Sequence, residues 1–347
     1  MSKRSLDEIK KDAKLFATCT DITDLQNKLK ISGNDLLLFS LHPRYYCFTI
    51  RKQSGGLREI ETPAFQLKEL QRKLNYYLQA YYYMNQSSSS YGYIISPGNR
   101  KNYKNIVKNA EQHLGNRYMM KVDFDDFFHQ IKTRDVMGMF LANNLSFTQK
   151  AAHTLASVCT NNDRLPMGAP TSPVLSNLFA LELDHTLEKW AGDHAIIYSR
   201  FVDDLTFSSG EKEITNQHFA EVRDICLQHN LILNPEKTKL SGPGDEKIVT
   251  GLVLNKTVDI HPEFYKQLDM DLQRLKSIYE ATLLTNQFED NPLLKKFKQE
   301  VQGQVNFIGM VEGYRSPIFK DYLNRYHQAL EADEELFTMR WTNLSYL

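Results

Sequence analysis

The sequence predicts an α+β fold, on three observations. Strand-like runs come in two hairpin patterns, at 45–60 and 195–208, separated by long helical stretches. Residues 118–123 (YMMKVD) form an apolar run that reads as a buried strand turning into a helix. Beyond about residue 255 the pattern is helical to the end. A doubly wound sheet would need regular alternation of strand and helix, and the order here lacks it.

Taken in order, residues 1–35 read as short helices, with Ile22, Leu25, Leu29 and Ile31 near helical spacing. YYCFTI and LREI flank the turn Ser54-Gly55-Gly56, and Pro63 ends the hairpin. A long helix follows from Ala64 to about Tyr83, with Leu67, Leu70, Leu74, Tyr77, Leu78 and Tyr81 on one stripe. Ser87–Ser90 is the one low-complexity patch and is expected to be a mobile loop. Helices are expected over 133–159 and 173–191, and a further strand over 247–254.

The chain has 347 residues, enough for two or three packed units, with 41% hydrophobic and 24% charged residues. Those values exclude a disordered, collagen-like or coiled-coil chain. No apolar run approaches the ~20 residues a membrane helix needs. The N-terminal MSKRSLDEIKKDAK lacks the apolar stretch of a secretory signal. Cys19, Cys47, Cys159 and Cys226 lie far apart, which argues against a zinc site and for a reducing cytoplasm. The formal net charge is zero, but it is unevenly spread. Residues 44–121 carry thirteen bases against four acids, and residues 122–212 twelve acids against seven bases. A basic stretch followed by an acidic one suits a polyanion track leading to a cation-holding site.

Two acidic runs stand out: KVDFDDFF (121–128) and YSRFVDDLTFSS (198–209). Each also has a plainer reading. Asp at a helix start satisfies free N–H groups, and Asp-Asp suits a polar turn. Together they mean more. Carboxylates gathered at one point repel one another and need cations to stay ionised. Hard oxygen donors suit Mg²⁺, and a pair of such ions can clamp both oxygens of an in-line phosphoryl displacement. A strand-end Asp and a hairpin Asp-Asp supply such ligands.

Between the acidic runs lies LPMGAPTSPVLSNLFALELD (165–184). It resembles the LPQG-x-PTSP-x-LSN segment of reverse transcriptases. LNPEKTKL (233–240) resembles the next motif of that family, and FTIRKQSGGLREIETP (48–63) its fingers hairpin. NAEQH (109–113) and VTG (249–251) match, in order and distance, two signatures of the retron type. The chain is therefore identified as resembling a retron-type reverse transcriptase over about residues 40–255. The resemblance implies a right-hand polymerase fold: an N-terminal helical segment (1–35), fingers and palm (36–255), and a helical thumb with the C-terminal tail (256–347).

It further implies RNA-directed DNA synthesis from deoxynucleoside triphosphates. Asp123, Asp203 and Asp204, with the backbone oxygen of Phe124, would hold two Mg²⁺. Arg58 and Lys52 would grip the triphosphate and Lys237 would lie near it. Met167 and Phe128 would contact the nucleotide sugar, Phe128 as a gate against a 2′-hydroxyl. Asn109, His113, Lys295, Lys296 and Lys298 would bind nucleic acid. The implied partners are a cognate structured noncoding RNA, primed from a guanosine 2′-hydroxyl, its branched DNA product (msDNA), and a separate effector protein in antiphage defence. Rival readings are another bacterial reverse transcriptase, of the abortive-infection or group II intron kind, and a catalytically silent nucleic-acid scaffold. Two departures from the family pattern are Phe201-Val202-Asp203-Asp204, where Tyr-Ala-Asp-Asp is usual, and Met167, where Gln is usual.

Overall fold

Strand β3 (Tyr118–Phe124) organises the first part of the molecule, because its two faces have opposite character. Met120, Val122 and Phe124 are buried, while Lys121 and Asp123 on the alternate positions stay partly exposed. The computed structural model describes residues 4–51, 55–97, 103–142, 145–284 and 291–330. The chain divides into two units, Met1–Thr250 and Gly251–Leu347.

The first unit opens with α1 (Leu6–Ala17), α2 (Ile22–Leu29) and α3 (Gly33–Leu41). Their starts are set by side-chain caps. Ser5 and Glu8 form a reciprocal capping box, Asp21 accepts from the Asp24 N–H, and Ser32 accepts from the Asp35 N–H. Strands β1 (Tyr45–Arg51) and β2 (Leu57–Pro63) pair antiparallel, with Ile50 opposite Arg58. Helix α4 (Phe65–Asn85) buries Leu67, Leu70, Leu74 and Leu78, the expected stripe, and packs against α1. Each fully buried leucine contributes about 1.5–3 kcal/mol.

After α5 (Ile106–Glu111) and β3 come α6 (Phe127–Gln130), α7 (Thr133–Leu141) and α8 (Gln149–Cys159). Then follow α9 (Ser172–Phe179), α10 (Leu181–Asp193), β4 (Ile197–Phe201), β5 (Asp204–Ser209), α11 (Asn216–Gln228), β6 (Leu233–Ser241) and β7 (Ile248–Val249). Four strands make one antiparallel sheet in the order β4-β5-β3-β6. Its buried face, with Met120, Val122, Phe124, Leu205 and Phe207, joins Leu155, Leu183 and Leu187 from the helices in one core.

Two features, at 133–159 and at Ser87–Ser90, differ from the sequence expectation, and a third, at 233–240, fills a stretch that carried no assignment. The stretch 133–159 is two helices, because Leu145 and Phe147 enter the core between them and Thr148 caps α8. The LNPEKTKL motif forms a strand, β6, despite containing Pro235. It lies at the sheet edge, where a missing N–H is tolerated, and the β3–β6 register shifts between Lys121 and Asp123. Ser87–Ser90 is no mobile loop. Ser87 and Ser90 are buried, and Ser90 bridges Arg200 of β4.

The second unit begins with the hairpin β8 (Leu252–Leu254) and β9 (Val258–Ile260), which pairs Leu252 with Ile260. Helices α12 (Pro262–Leu284), α13 (Pro292–Val311) and α14 (Pro317–Leu330) follow and pack on one another. Leu268, Leu272, Leu275, Val301, Val305, Ile308, Phe319, Tyr322 and Tyr326 are among their buried residues. Among the described residues no helix is long and apolar enough to cross a membrane.

Candidate active site

The acids of the two runs meet at one end of the four-stranded sheet. Asp123, the next-to-last residue of β3, is the direct antiparallel partner of Asp204, the first residue of β5. Asp203 occupies the two-residue turn before it, and its carbonyl accepts from the Phe124 N–H at 3.2 Å. Strand alternation therefore puts Asp123, Asp204 and Lys121 on one face. The plainer reading of the first run fails locally, because Asp126 at the start of α6 makes no cap bond and instead accepts from His129 Nδ1 at 2.7 Å.

Two ammonium groups answer this charge. Lys237 Nζ of β6 donates to Asp123 Oδ1 at 2.7 Å, and Lys121 Nζ lies 3.2 Å from Asp204 Oδ2. The balance is incomplete. Burial, followed by the Asp123 charge, pushes the Asp203 carboxyl above its ordinary range, against the pull of Lys237 and Arg58. Burial likewise pushes Asp204 up, with Lys121 opposing and Asp123 and Asp203 adding to the rise. The bond to Asp123 holds the Lys237 ammonium above its usual range. Among the described residues no three His, Cys, Asp or Glu groups are arranged to hold a metal ion as they stand. The donor set nevertheless fits a hard divalent cation: carboxylates from two adjoining strands and their turn, partly desolvated and short of positive charge. Such an ion would replace the Lys237 contact on Asp123.

The remaining sequence candidates distribute as follows. Arg58 is exposed on β2, and its charge is felt at Asp203. Lys52 lies outside the described residues. Phe124 is buried, its ring stacked on Phe127 at 4.8 Å, and half-buried Phe128 lies 5.8 Å from Phe127. The Met167 carbonyl accepts from the Glu61 N–H at 2.8 Å, which ties the LPMG turn to β2. Gly168 beside it has φ +133°, and a Cβ there would sit 3.0 Å from the Glu61 carbonyl oxygen, so the turn needs glycine. Lys295, Lys296 and Lys298 are carried by α13, in the second unit, and all three are exposed.

Asn109 and His113, expected to touch nucleic acid, are buried at 1% and 0% exposure, so their side chains face the protein. His113 Nδ1 is 2.6 Å from Ser208 Oγ on β5, and its Nε2 is 2.7 Å from Ser199 Oγ on β4. Thr250 Oγ1 donates to the Ile106 carbonyl at 3.0 Å, so the NAEQH helix and VTG are held together. Burial drives the His113 pKa down to about 3.

Four residues outside the sequence candidates support the site. Lys121 has a local signal, being two positions before Asp123 on the same strand face. Glu61, 1% exposed, accepts from Asn161 Nδ2 at 2.8 Å and meets His129 Nε2 at 3.1 Å. Arg200 and Asp184 are both fully buried and pair at 2.6 Å. Nothing local marks those last three, because their partners stand on other elements of the fold.

Residues 50–310 match the family model described as reverse transcriptase (RNA-dependent DNA polymerase). The retron Ec86 reverse transcriptase of Escherichia coli is 31% identical over 256 residues, which cover 72% of this chain and 76% of that one. The retron Mx65 reverse transcriptase of Myxococcus xanthus is 30% identical over 264 residues, covering 69% of this chain and 59% of its own. Among solved structures, apo telomerase from Candida tropicalis aligns with a TM-score of 0.44 at 13% identity, over 82% of this chain and 61% of that chain. The chain belongs to the reverse transcriptase family, as an RNA-directed DNA polymerase of the retron type.

Proposed function

We propose that the enzyme copies a structured noncoding RNA of its own retron into a short DNA that stays joined to the RNA. Synthesis starts from a guanosine 2′-hydroxyl and yields the branched product msDNA, within an antiphage defence system that includes a separate effector protein. The observation that carries the catalytic part of this reading is the direct pairing of Asp123 with Asp204 beside the Asp203 turn.

Asp123, Asp203 and Asp204, with the Phe124 carbonyl, would hold two Mg²⁺, which when bound supply charge for deprotonating the primer hydroxyl and for the departing pyrophosphate. The chain's own residues orient the reactants. Arg58 engages triphosphate oxygens through its guanidinium fork, with Lys52 as a second cation for the same group. Lys237 leaves Asp123 for the triphosphate or the primer end. Phe128 lies against the sugar and disfavours a 2′-hydroxyl, and Met167 packs on the same sugar as a flexible apolar surface. Lys295, Lys296 and Lys298 contact RNA phosphates, binding by shape and charge rather than by sequence.

The test is to purify the protein from its native locus beside an Asp203→Asn/Asp204→Asn variant and to treat bound nucleic acid with RNase, DNase and a debranching enzyme. The expected result is a short DNA linked to RNA through a 2′ bond in the parent and RNA alone in the variant. RNA alone in both would overturn the reading.

A further inference from the structure

We propose that Arg200 is a positioning residue for polymerisation, holding the peptide between Val202 and Asp203 and, through it, the direction of the Asp203 and Asp204 carboxylates. The inference rests on the reading that those two acids carry catalysis.

Arg200 lies on β4, and both its side chain and that of Asp184 are 0% exposed. A buried guanidinium needs its donors matched, and here each nitrogen has a partner. Nε donates to Asp184 Oδ1 at 2.8 Å and Nη2 to Asp184 Oδ2 at 2.6 Å, a fork meeting a carboxylate. Nη2 also reaches Ser90 Oγ at 3.4 Å, and Nη1 donates to Asn177 Oδ1 at 3.0 Å. The decisive bond is the last: Nη1 donates to the Val202 carbonyl at 2.9 Å. That carbonyl shares a rigid peptide plane with the Asp203 N–H, so fixing one fixes the other.

The turn needs such a hold. Val202 has φ +63°, a left-handed conformation that a β-branched residue adopts only when its surroundings impose it. The opposite side of the turn is closed as well. A Cβ on Gly92 would lie 2.6 Å from Val202 Cγ2 and 2.9 Å from the Val202 nitrogen. The Gly92 carbonyl accepts from Asn177 Nδ2 at 2.9 Å, so one asparagine joins both walls. The 89–91 backbone is bonded to β4 on either side of Arg200, through Arg200 N–H to the Ser89 carbonyl at 2.8 Å and Tyr91 N–H to the Arg200 carbonyl at 2.9 Å. Glu188 anchors that segment by accepting from the Ser87 and Ser88 hydroxyls at 2.7 and 2.8 Å.

A role in stability alone explains less. Desolvation offsets much of what a buried ion pair gains, and an apolar pair of similar volume often replaces it without loss. An apolar pair cannot donate to the Val202 carbonyl. The two roles therefore separate in a variant that folds and still lacks this bond.

The experiment compares the full-length parent with Arg200→Met/Asp184→Leu, Arg200→Lys and Gly92→Ala, using a DNA primer annealed to an RNA template. Each is measured for thermal unfolding and for kcat and KM of dNTP incorporation, with Asp203→Asn alongside. The double variant leaves the Val202 carbonyl, Asn177 Oδ1 and the Tyr198 hydroxyl, which donates to Asp184 Oδ1 at 2.8 Å, without partners, so its Tm should fall while the protein still folds. Its kcat should fall about 10- to 100-fold, the usual effect of small misplacement of a catalytic group. Its KM for dNTP should stay within about threefold, because triphosphate binding does not pass through Arg200. Arg200→Lys keeps a cation for Asp184 but has no fork to span both partners, and should lose kcat likewise. A folded double variant with the parent's kcat overturns the proposal. If that variant does not fold, Gly92→Ala decides, since it presses on Val202 with the ion pair intact: lost kcat at unchanged KM supports the role, and unchanged kcat overturns it. Incorporation that survives Asp203→Asn would instead sink the catalytic reading on which the proposal stands.

Discussion

Lys237 Nζ sits 2.7 Å from Asp123 Oδ1, so an ammonium from the edge strand stands on the carboxylate that faces Asp204. The contact is more exposed on the lysine side, at 55% against 23% for the aspartate. Lys237→Gln should therefore cost little stability, about 1 kcal/mol or less. It should also leave Asp123 and Asp203 without their nearest shield, so that millimolar Mg²⁺ raises the Tm of the variant more than that of the parent. Thermal melts with and without Mg²⁺ check this, and no Mg²⁺ response in either protein would contradict a cation site at these acids.

His113 sets a pH dependence of stability. Burial lowers its pKa from 6.5 to about 3 in the folded protein, so between those values the unfolded chain binds the extra proton. Stability contributed by the neutral ring is present above pH 6.5 and is lost as pH falls toward 3. The loss from this group between pH 7 and 4.5 should be about 2–3 kcal/mol. Urea unfolding across that range should show a shallower acid limb for His113→Gln, which can still bond Ser199 and Ser208. Parallel limbs would contradict the assignment.

Glu61 ties β2 to the LPMG turn through its backbone, and to Asn161 and His129 through its buried carboxylate. Glu61→Ala removes the acceptor of the Asn161 amide and the carboxylate beside His129, which should cost about 1–3 kcal/mol. Displacement of the turn should also raise the KM for dNTP more than it lowers kcat. Glu61→Gln, which keeps one acceptor oxygen, should fall between parent and alanine in both measurements.

The lysines on α13 should act through charge alone. Replacing Lys295, Lys296 and Lys298 by alanine should weaken RNA binding at low salt. The salt dependence should flatten by up to about 0.7–0.9 for every phosphate that is no longer neutralised. Filter binding over a salt series measures this, and an unchanged slope would remove α13 from the RNA surface. Melting behaviour should hardly change, because Lys295, Lys296 and Lys298 are all exposed.

Elements with strong periodicity were legible in the sequence. The α4 leucine stripe, the β1–β2 hairpin and the buried strand β3 appear where apolar spacing placed them. The three acids were legible as residues, and the sheet adds what sequence cannot contain, the pairing of Asp123 with Asp204 across strands eighty-one positions apart. Local chemistry misled at Ser87–Ser90, whose polar run is ordered by Glu188 and Arg200. The NAEQH string was legible as a marker but not in its placement, since burial of His113 between β4 and β5 depends on the folded sheet. Arg200 and Asp184 escaped notice for the same reason, because a buried pair announces itself only once both partners are in place.

The most direct measurement is single-turnover incorporation of one dNTP on an RNA template with a DNA primer, comparing the parent with Asp123→Asn and Asp204→Asn. Loss of at least about a thousandfold in rate in both variants, with the protein still folded and still bound to the template, is the expected result. Incorporation at near the parent's rate in either folded variant would contradict the assignment of this paired carboxylate site.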